Sequence, residues 1–185
     1  MTDTASTHHR TSGPSPWIER FVDLVPEEGI VLDLACGGGR HGRLFLDRGH
    51  RIVALDRDLS GVKDLADNDK TELIEADLED GKPFPLAGRS FAAVVVANYL
   101  HRPLLPALVA AVAPGGLLLY ETFARGNERF GRPRNPDFLL TPGELLEAVR
   151  GQLHVLAYED LVLEKPKPAA VQRIAARREP MEVGR

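Results

Sequence analysis

The chain has 185 residues, of which 43% are hydrophobic, and its formal net charge is −4 at pH 7. This length and apolar content suit one globular domain, while the negative charge argues against general nucleic-acid binding. No apolar run is long enough to cross a bilayer, so we expect no membrane partner. Cys36 is the only cysteine, and the polar N-terminus lacks the apolar core of a secretory signal. These two features predict a cytoplasmic protein.

The two ends of the chain are predicted to flank a single domain at 16–178. Residues 1–15 are rich in Thr, Ser, Gly and Pro, which is typical of a mobile leader. Residues 179–185 are expected to form a short tail. We predict no metal site, because the adjacent His8 and His9 stand in the leader and are expected to be solvated.

Strand and helix patterns alternate along most of the domain. After a first helix that begins at Pro16 and ends before Pro26, apolar runs predict strands at 29–34, 51–55, 71–76, 91–97 and 117–122. Helical patterns occupy 39–48, 59–66 and 102–113, the last interrupted near Pro103 and Pro106, and a turn-rich segment crosses at 82–85. Such alternation specifies parallel strands with right-handed crossovers and helices on both faces.

The last third of the chain changes character. A long loop, Phe123–Leu140, precedes a helix predicted at Pro142–Val149, with Thr141 as its cap. Two strand-like runs, 152–163 and 169–176, then imply an antiparallel hairpin at one sheet edge. The predicted fold class is therefore α/β, with a doubly wound, mostly parallel, seven-stranded sheet and a C-terminal antiparallel hairpin.

A glycine-rich loop joins the first strand to the next helix. Three consecutive glycines, Gly37 to Gly39, follow the apolar run of the strand. Glycine adopts positive φ and leaves no Cβ in the way, so a ligand can approach the backbone and the free N–H groups of the helix start. In open α/β sheets nucleotides bind at this place, so we predict an adenosine-containing cofactor.

Two cofactor classes fit the loop. The pattern G-x-G-x-x-G from Gly37 to Gly42 is that of NAD(P)-dependent oxidoreductases. Asp56 follows Gly37 by 19 residues, close to the spacing of the ribose-binding acid in that class. Against this class, no Tyr-x-x-x-Lys pair is present. Acids also stand at the ends of the first and third strands, Asp33 and Asp77. Acids at three strand ends would suit a ligand with an ammonium or sulfonium, a ribose diol and an adenine amine.

With these acids, the chain resembles the class I S-adenosylmethionine-dependent methyltransferases. Val31–Gly42 is similar to the first motif of the family, Asp56 to its ribose-binding acid, and Glu75–Leu78 to its third motif. Val94–Asn98 is similar to the fourth motif, and Pro114–Leu117 to the turn before strand five. The resemblance implies a Rossmann-like methyltransferase fold, S-adenosyl-L-methionine as cofactor and methyl transfer as activity.

A narrower resemblance is to the small single-domain branch that includes tellurite-resistance-type methyltransferases. It is carried by Tyr120–Phe123, by Gly126 and Asn127, and by the Phe-Leu-Leu-Thr-Pro run at 138–142. One departure from the family pattern is Cys36, which stands where glycine is often found. Cysteine is small enough to keep the turn.

The resemblance also implies which residues bind the cofactor. Asp33 suits the orientation of the glycine loop better than direct contact, and His41 is placed to line the methionine end. The full set comprises Asp33, Ala35, Cys36, Gly37, Gly39, His41, Asp56, Arg57, Asp77, Leu78 and Asn98.

Catalytic residues are expected just after the fourth strand, where a methyl acceptor would face the sulfonium. His101 is the candidate base, because it is the only nearby side chain whose unperturbed pKa suits proton removal. Capping of the next helix is its alternative role. Tyr99 is the second catalytic candidate. Without a clear catalytic set, a non-catalytic module that binds S-adenosylmethionine also remains open.

The loop Phe123–Leu140 is rich in arginine and phenylalanine. Its arginines either recruit an anionic substrate or pair with the acids at the strand ends, and its phenylalanines are expected to anchor it over the sheet. We expect a small-molecule substrate, with RNA not excluded, and a monomer or homodimer. The residues concerned are Arg125, Arg129, Arg132 and Arg134, and Phe123, Phe130 and Phe138.

Overall fold

Residues 13–181 are described by the computed structural model. The strands are β1 Ile30–Leu34, β2 Arg51–Asp56, β3 Thr71–Glu75, β4 Phe91–Ala97, β5 Val112–Phe123, β6 His154–Leu163 and β7 Ala169–Arg177. The α-helices are α1 Pro16–Phe21, α2 Arg40–Asp47, α3 Leu105–Ala110 and α4 Glu144–Val149. Short 3-10 helices occupy Val22–Leu24, Leu59–Leu65, Arg102–Leu104, Asn127–Arg129 and Pro136–Phe138. The predicted leader up to residue 12, with His8 and His9, and the tail beyond 181 lie outside the described residues.

The seven strands form one sheet in the order β3-β2-β1-β4-β5-β7-β6. Strands β1 to β5 are parallel, and β7 is antiparallel to both β5 and β6. The predicted doubly wound, mostly parallel sheet with a C-terminal antiparallel hairpin is thus confirmed. The chain leaves β1 for β2 on one side and returns to β4 on the other, and this reversal opens a crevice at the carboxyl ends of β1 and β4.

Both faces of the sheet are covered, as the apolar run of β4 predicts. Val94 and Val96 pack into one core beneath α3 and α4, whereas Ala93 and Val95 pack into the other beneath α1 and α2. Each buried valine side chain contributes about 1.5–3 kcal/mol to folding. Burial on both faces therefore holds β4 in place and so fixes the position of the residues that follow its carboxyl end.

Helix α1 begins where the sequence predicts, at Pro16. The Ser15 hydroxyl accepts the N–H of Trp17 at 3.1 Å and caps the helix. The Trp17 indole N–H donates to the carbonyl of Ile174 in β7 at 3.3 Å. These contacts hold the segment that precedes α1 over the sheet. No helix in residues 13–181 combines the length and the apolar character needed to span a membrane.

Helix α4 and strand β5 begin at residues other than the predicted ones. Helix α4 begins at Glu144 rather than Pro142, because Gly143 adopts a φ of 75°. The Thr141 N–H and hydroxyl both donate to the Glu144 carboxylate, at 2.8 and 2.9 Å, and close the turn. Strand β5 begins at Val112, because the predicted turn Pro114–Gly116 is accommodated as an irregularity in its pairing with β4.

The helix predicted at 59–66 is a 3-10 helix, Leu59–Leu65, and the one predicted at 102–113 is split. A 3-10 turn, Arg102–Leu104, leads into α3, and Pro103 and Pro106 stand near the start of each part. Proline has no N–H to donate, so it favours helix starts over helix interiors.

Candidate functional site

The glycine loop lies at the carboxyl end of β1. Ala35, Gly37 and Gly39 have φ values of 52°, 52° and 70°, in the left-handed region. The Gly39 N–H donates to the Cys36 carbonyl at 2.8 Å and closes the loop. A Cβ on Gly37 would meet nothing within 4 Å, whereas one on Gly39 would lie 2.5 Å from Val62. The loop therefore packs against the protein at Gly39 and is open at Gly37.

Asp33 lies beneath this loop and is 2% exposed. Its carboxylate accepts the N–H of Gly42, in the first turn of α2, at 2.8 Å. Burial raises the pKa of Asp33 to about 7, although the Gly42 hydrogen bond opposes the rise. Asp33 does not line a cavity with the other predicted residues. It ties β1 to α2 and so positions the glycine loop from behind.

Asp56, at the end of β2, supports the same loop from the other side. One carboxylate oxygen accepts the Gly37 N–H at 2.9 Å, and the other accepts the Asp58 N–H at 3.1 Å. A carboxylate oxygen can accept more than one hydrogen bond. Asp56 can therefore hold the loop and still accept hydrogen bonds from a ligand.

A cavity of about 400 Å³ opens beside Asp56 and gathers six of the predicted residues. Asp77, which follows β3, lies on its wall, and one of its carboxylate oxygens accepts the Glu79 N–H at 2.9 Å. The wall is thus acidic at the ends of two neighbouring strands and apolar between them. The complete lining is Ala35, Asp56, Arg57, Ala76, Asp77, Leu78, Glu79, Tyr99 and Phe138.

A second cavity, of about 260 Å³, adjoins the first at the end of β4. Asn98, another predicted residue, lines it with a φ of 56°, and its N–H donates to the Glu121 carbonyl at 2.9 Å. Three residues line both cavities: Glu79, Tyr99 and Phe138. The remainder of the second lining is Leu100, Thr122, Phe123 and Pro133.

Tyr99 stands between the two cavities. Its carbonyl accepts the Tyr120 hydroxyl at 2.8 Å, which fixes its backbone. Its own hydroxyl is buried without a hydrogen-bond partner among residues 13–181. Burial, together with the charge of Glu79, raises the pKa of Tyr99, so the hydroxyl keeps its proton at neutral pH. It is therefore a donor, with the Glu79 carboxylate as a neighbouring acceptor.

Two predicted residues of the loop and helix point away from the cavities. Cys36 is buried, which raises the pKa of its thiol, and its N–H donates to the Leu55 carbonyl at 3.1 Å. The His41 Nε2 accepts the Ser15 N–H at 3.2 Å. Burial and the neighbouring Arg40 lower the pKa of His41 to about 4. His41 thus fastens the segment before α1 to α2 and lines neither cavity.

His101 occupies the position that caps the 3-10 helix Arg102–Leu104. Its carbonyl, rather than its side chain, accepts the Leu104 N–H at 3.0 Å. The side chain lines neither of the two cavities. Its role as a base stays a prediction.

Arg102 fastens the loop Phe123–Leu140 to the rest of the protein. Its guanidinium donates to both carboxylate oxygens of Glu144, at 2.6 and 3.0 Å. It also donates to the carbonyls of Asp137 and Leu139, at 2.7 and 2.8 Å. Arg102 therefore acts on the site through the loop, whose Phe138 lines both cavities.

The expected anchoring by aromatic residues is wrong for two of the three phenylalanines. Phe130 and Phe138 are 41% and 46% exposed. Only Phe123 is partly buried. The hydrogen bonds of Arg102 to the backbone carry out the anchoring that the sequence assigned to phenylalanine.

The four loop arginines form no ion pair within residues 13–181. Arg129 donates to the Gly126 carbonyl at 3.2 Å and lies over the ring of Phe130. Arg132 and Arg134 line an open cavity of about 530 Å³. The alternative in which these arginines pair with strand-end acids is therefore not found in the described chain.

Sequence reasoning missed a buried polar network behind the site. The Ser15 hydroxyl donates to Glu121 at 2.7 Å, and Arg173 donates to Glu121 at 3.1 Å and to Glu159 at 2.6 Å. The Arg173 side chain is only 16% exposed and lies over the ring of Trp17. Its partners lie 14 and 52 residues away, so no local pattern indicates them.

Comparison with known proteins gives one family match. Residues 31–116 match the family model described as "Methyltransferase domain". Among curated relatives, ribosomal RNA small subunit methyltransferase H of Synechococcus sp. is 39% identical over 30% of this chain and 19% of its own length. Malonyl-[acyl-carrier protein] O-methyltransferase of Salmonella typhimurium is 31% identical over 52% of this chain and 40% of its own length. The chain spans less than half the length of these relatives.

Solved structures show the same fold. TehB from Haemophilus influenzae has a TM-score of 0.74 at 15% identity, covering 92% of this chain and 64% of TehB. The glycopeptide N-methyltransferase MtfA, complexed with S-adenosyl-L-homocysteine, has a TM-score of 0.60 at 22% identity, and 94% of each chain is covered. The likeness to TehB bears out the narrower resemblance at the level of the fold. Residues 31–116 thus match a methyltransferase-domain model, and the chain shares the fold of these solved structures.

Proposed function

We propose that the protein binds S-adenosyl-L-methionine in the 400 Å³ cavity and transfers its methyl group to a small molecule in the adjoining one. The observation that carries this proposal is the pair of carboxylates, Asp56 and Asp77, on one cavity wall at the open backbone of Gly37. The family match of residues 31–116 supports the same activity. When bound, the cofactor supplies a methyl group on a sulfonium, which is already a strong electrophile.

The residues present suit this cofactor. Carboxylates accept hydrogen bonds from ribose hydroxyls and balance the positive charge of an ammonium or sulfonium. Asp56 is the candidate for the ribose and Asp77 for the adenine amine, while Ala76 and Leu78 supply apolar contact. The Tyr99 hydroxyl at the same wall lies beside Glu79 and can donate a hydrogen bond to a bound molecule. Ala35 and Gly37 leave the loop backbone accessible.

On the acceptor side, the chain supplies approach and alignment rather than an evident base. Asn98 and Thr122 present polar groups to the second cavity, and Tyr99 holds its proton because its pKa is raised. Tyr99 would therefore orient an acceptor by donating a hydrogen bond, not by removing a proton. His101 would take part only if its side chain turned toward the cavity.

Two alternatives predicted from the sequence differ in measurable ways. An NAD(P)-dependent oxidoreductase would bind the dinucleotide, and its glycine pattern also matches this loop. A non-catalytic module would bind S-adenosylmethionine without turnover. The proposals of a small-molecule acceptor and of a monomer or homodimer are based on the sequence alone. So is the proposed cytoplasmic location, because a single cysteine favours a reducing compartment.

Calorimetry with S-adenosylmethionine, S-adenosylhomocysteine and NAD⁺ tests the proposal. We expect saturable binding of the first two only. D56N should weaken that binding by about 10- to 100-fold, since one charge-assisted hydrogen bond contributes roughly 1.5–3 kcal/mol. The exposed Asp67, which lines neither cavity, provides the matched control D67N, with an expected change below about twofold.

The outcome that would overturn the proposal is saturable NAD⁺ binding by the folded protein with no heat from either S-adenosyl compound. If the cofactor binds, its loss in the presence of a panel of small metabolites separates an enzyme from a binding module. A panel that includes carboxylates, phosphates, amines and phenols covers the common acceptor atoms.

A further inference from the structure

The loop Phe123–Leu140 carries charge opposite to that of the chain. It contains Arg125, Arg129, Arg132 and Arg134 against Glu128 and Asp137, a net charge of +2 in a chain of net charge −4. Glu128 accepts the backbone N–H of Gly126 at 2.8 Å and forms no ion pair within residues 13–181. Backbone hydrogen bonds and the charges of Arg129 and Arg125 lower the pKa of Glu128, whereas Arg132 and Arg134 form no ion pair with any described carboxylate.

Two of these guanidiniums stand on a braced stretch of backbone. Between Arg132 and Arg134, the Pro133 carbonyl accepts the side-chain N–H of Asn127 at 3.1 Å, and Asn127 is only 1% exposed. A few residues later, Arg102 binds the Asp137 and Leu139 carbonyls. The segment is therefore held on both sides by groups that are themselves fixed, which reduces the cost of ordering it around a ligand.

The same two arginines are next to the acceptor cavity. They line the open 530 Å³ cavity together with Pro133, Asn135 and Phe138. Pro133 and Phe138 also line the 260 Å³ cavity that contains Asn98 and Thr122. One small molecule can therefore place one end between the arginines and the other beside Asn98.

The first cavity and the arginine-bearing loop carry opposite charges, so they suit different ligand groups. Three carboxylates, Asp56, Asp77 and Glu79, line the first cavity against one cation, Arg57, so the cavity favours a cationic ligand over an anionic one. Glu79 also reaches the second cavity, so an anionic group avoids its carboxylate only by lying toward the loop. Arginine guanidiniums bind carboxylate and phosphate oxygens through paired N–H groups.

We propose that Arg132 and Arg134 form an anion subsite that holds a carboxylate or phosphate group of the methyl acceptor. The inference rests on the proposed function, because the subsite matters only if the adjoining cavity receives an acceptor. It narrows the substrate class to small molecules that carry an anionic group at the end remote from the atom that is methylated.

The experiment follows arginine side-chain N–H resonances and the backbone N–H resonances of the loop by NMR, the latter serving for the variants, during titration of the full chain with malonate and, separately, inorganic phosphate at constant ionic strength. We expect saturable shifts at Arg132 and Arg134. R132Q/R134Q should weaken binding by roughly tenfold, the low end for charge-assisted hydrogen bonds at an exposed site. R125Q/R129Q removes the same charge from the same loop but not from the cavity, and should change binding less than about twofold.

Each of the following three results would overturn the inference. No saturable shift with either anion means that the arginines form no subsite. Equal weakening by both double variants means attraction by the net charge of the loop. Tighter binding of a short RNA than of malonate or phosphate, with a steep salt dependence, means a polyanion surface.

The anion titrations need no cofactor, so their failure is distinct from failure of the proposed function. Calorimetry with S-adenosylmethionine should give the same affinity for R132Q/R134Q as for the unaltered protein. In the metabolite panel, loss of the cofactor methyl with neutral acceptors only would contradict the subsite while leaving methyl transfer intact.

Discussion

The two halves of the candidate site are built in different ways. The cofactor half consists of strand ends whose acids bind backbone N–H groups of the glycine loop and the helix after it, 9 residues away for Asp33 and Gly42 and 19 for Asp56 and Gly37. The acceptor half is a loop held by Arg102, whose carboxylate partner Glu144 lies 42 residues away. The first half is a property of the sheet, whereas the second depends on one distant ion pair. Changes at the two should therefore have separable consequences.

The largest effect is expected from removal of Arg102. R102Q leaves the Glu144 carboxylate with Thr141 as its donor and removes the side-chain donor of two backbone carbonyls, so the free energy of unfolding should fall by about 2–3 kcal/mol. Chemical denaturation measures this change. R125Q, which removes an exposed arginine from the same loop, is the control, and its effect should stay within about 0.5 kcal/mol. Similar effects of the two variants would contradict the anchoring role of Arg102.

A second prediction concerns two buried groups beneath the cofactor half, whose pH dependences oppose each other. Asp33 has a folded-state pKa of about 7 against an ordinary 3.8, so its contribution to stability falls as pH rises through that window. His41 has a folded-state pKa of about 4 against 6.5, so its contribution is lost as pH falls through that window. In the unaltered protein the two slopes cancel between about pH 4.5 and 6.

Single variants separate these slopes. Relative to the unaltered protein, H41Q should lose stability as pH rises, and D33N should gain it, each by up to about 1.4 kcal/mol per pH unit. Denaturation midpoints at a series of pH values give the slopes. Parallel pH profiles for the two variants would show that these groups are not buried as described.

The smallest effect is expected from a substitution beside the glycine loop, in the cofactor half of the site. A Cβ on Gly61 would lie 2.7 Å from the Gly37 carbonyl, so G61A must displace the glycine loop or the 3-10 helix beside it. Overpacking of this kind costs about 1 kcal/mol or more. We expect S-adenosylmethionine to bind about tenfold more weakly, by calorimetry. S60A, at the exposed neighbouring position, should bind it normally, and equal binding by both variants would remove Gly61 as a support of the loop.

Sequence reasoning succeeded where the determinants are local. The apolar runs of β1 to β5 and the acids that end them lie within a few residues of each other, so periodicity and strand-end position predict both the sheet and the wall that carries Asp56 and Asp77. The first half of the site follows from these patterns. The boundary errors at α4 and β5 arise where a glycine conformation or a pairing irregularity overrides the local pattern.

The acceptor half could not be predicted in the same way. Pro133 and Phe138 reach the cavities because Asn127 and Arg102 hold their loop, and no spacing in the sequence indicates the contacts of Arg102. His41 was assigned to the cofactor from its place at the start of α2, yet its ring accepts a hydrogen bond from Ser15, 26 residues earlier. Contacts of this length depend on the assembled fold.

Ala35 and Asn98 are the two non-glycine residues with positive φ within residues 13–181, and they follow the neighbouring strands β1 and β4. Such a backbone costs on the order of 1 kcal/mol per residue and persists only where the surroundings enforce it. The backbone of the rim between the cavities is accordingly held in place by its surroundings. Divergence toward new acceptors would then proceed through replacements in the arginine loop, with the rim inherited unchanged.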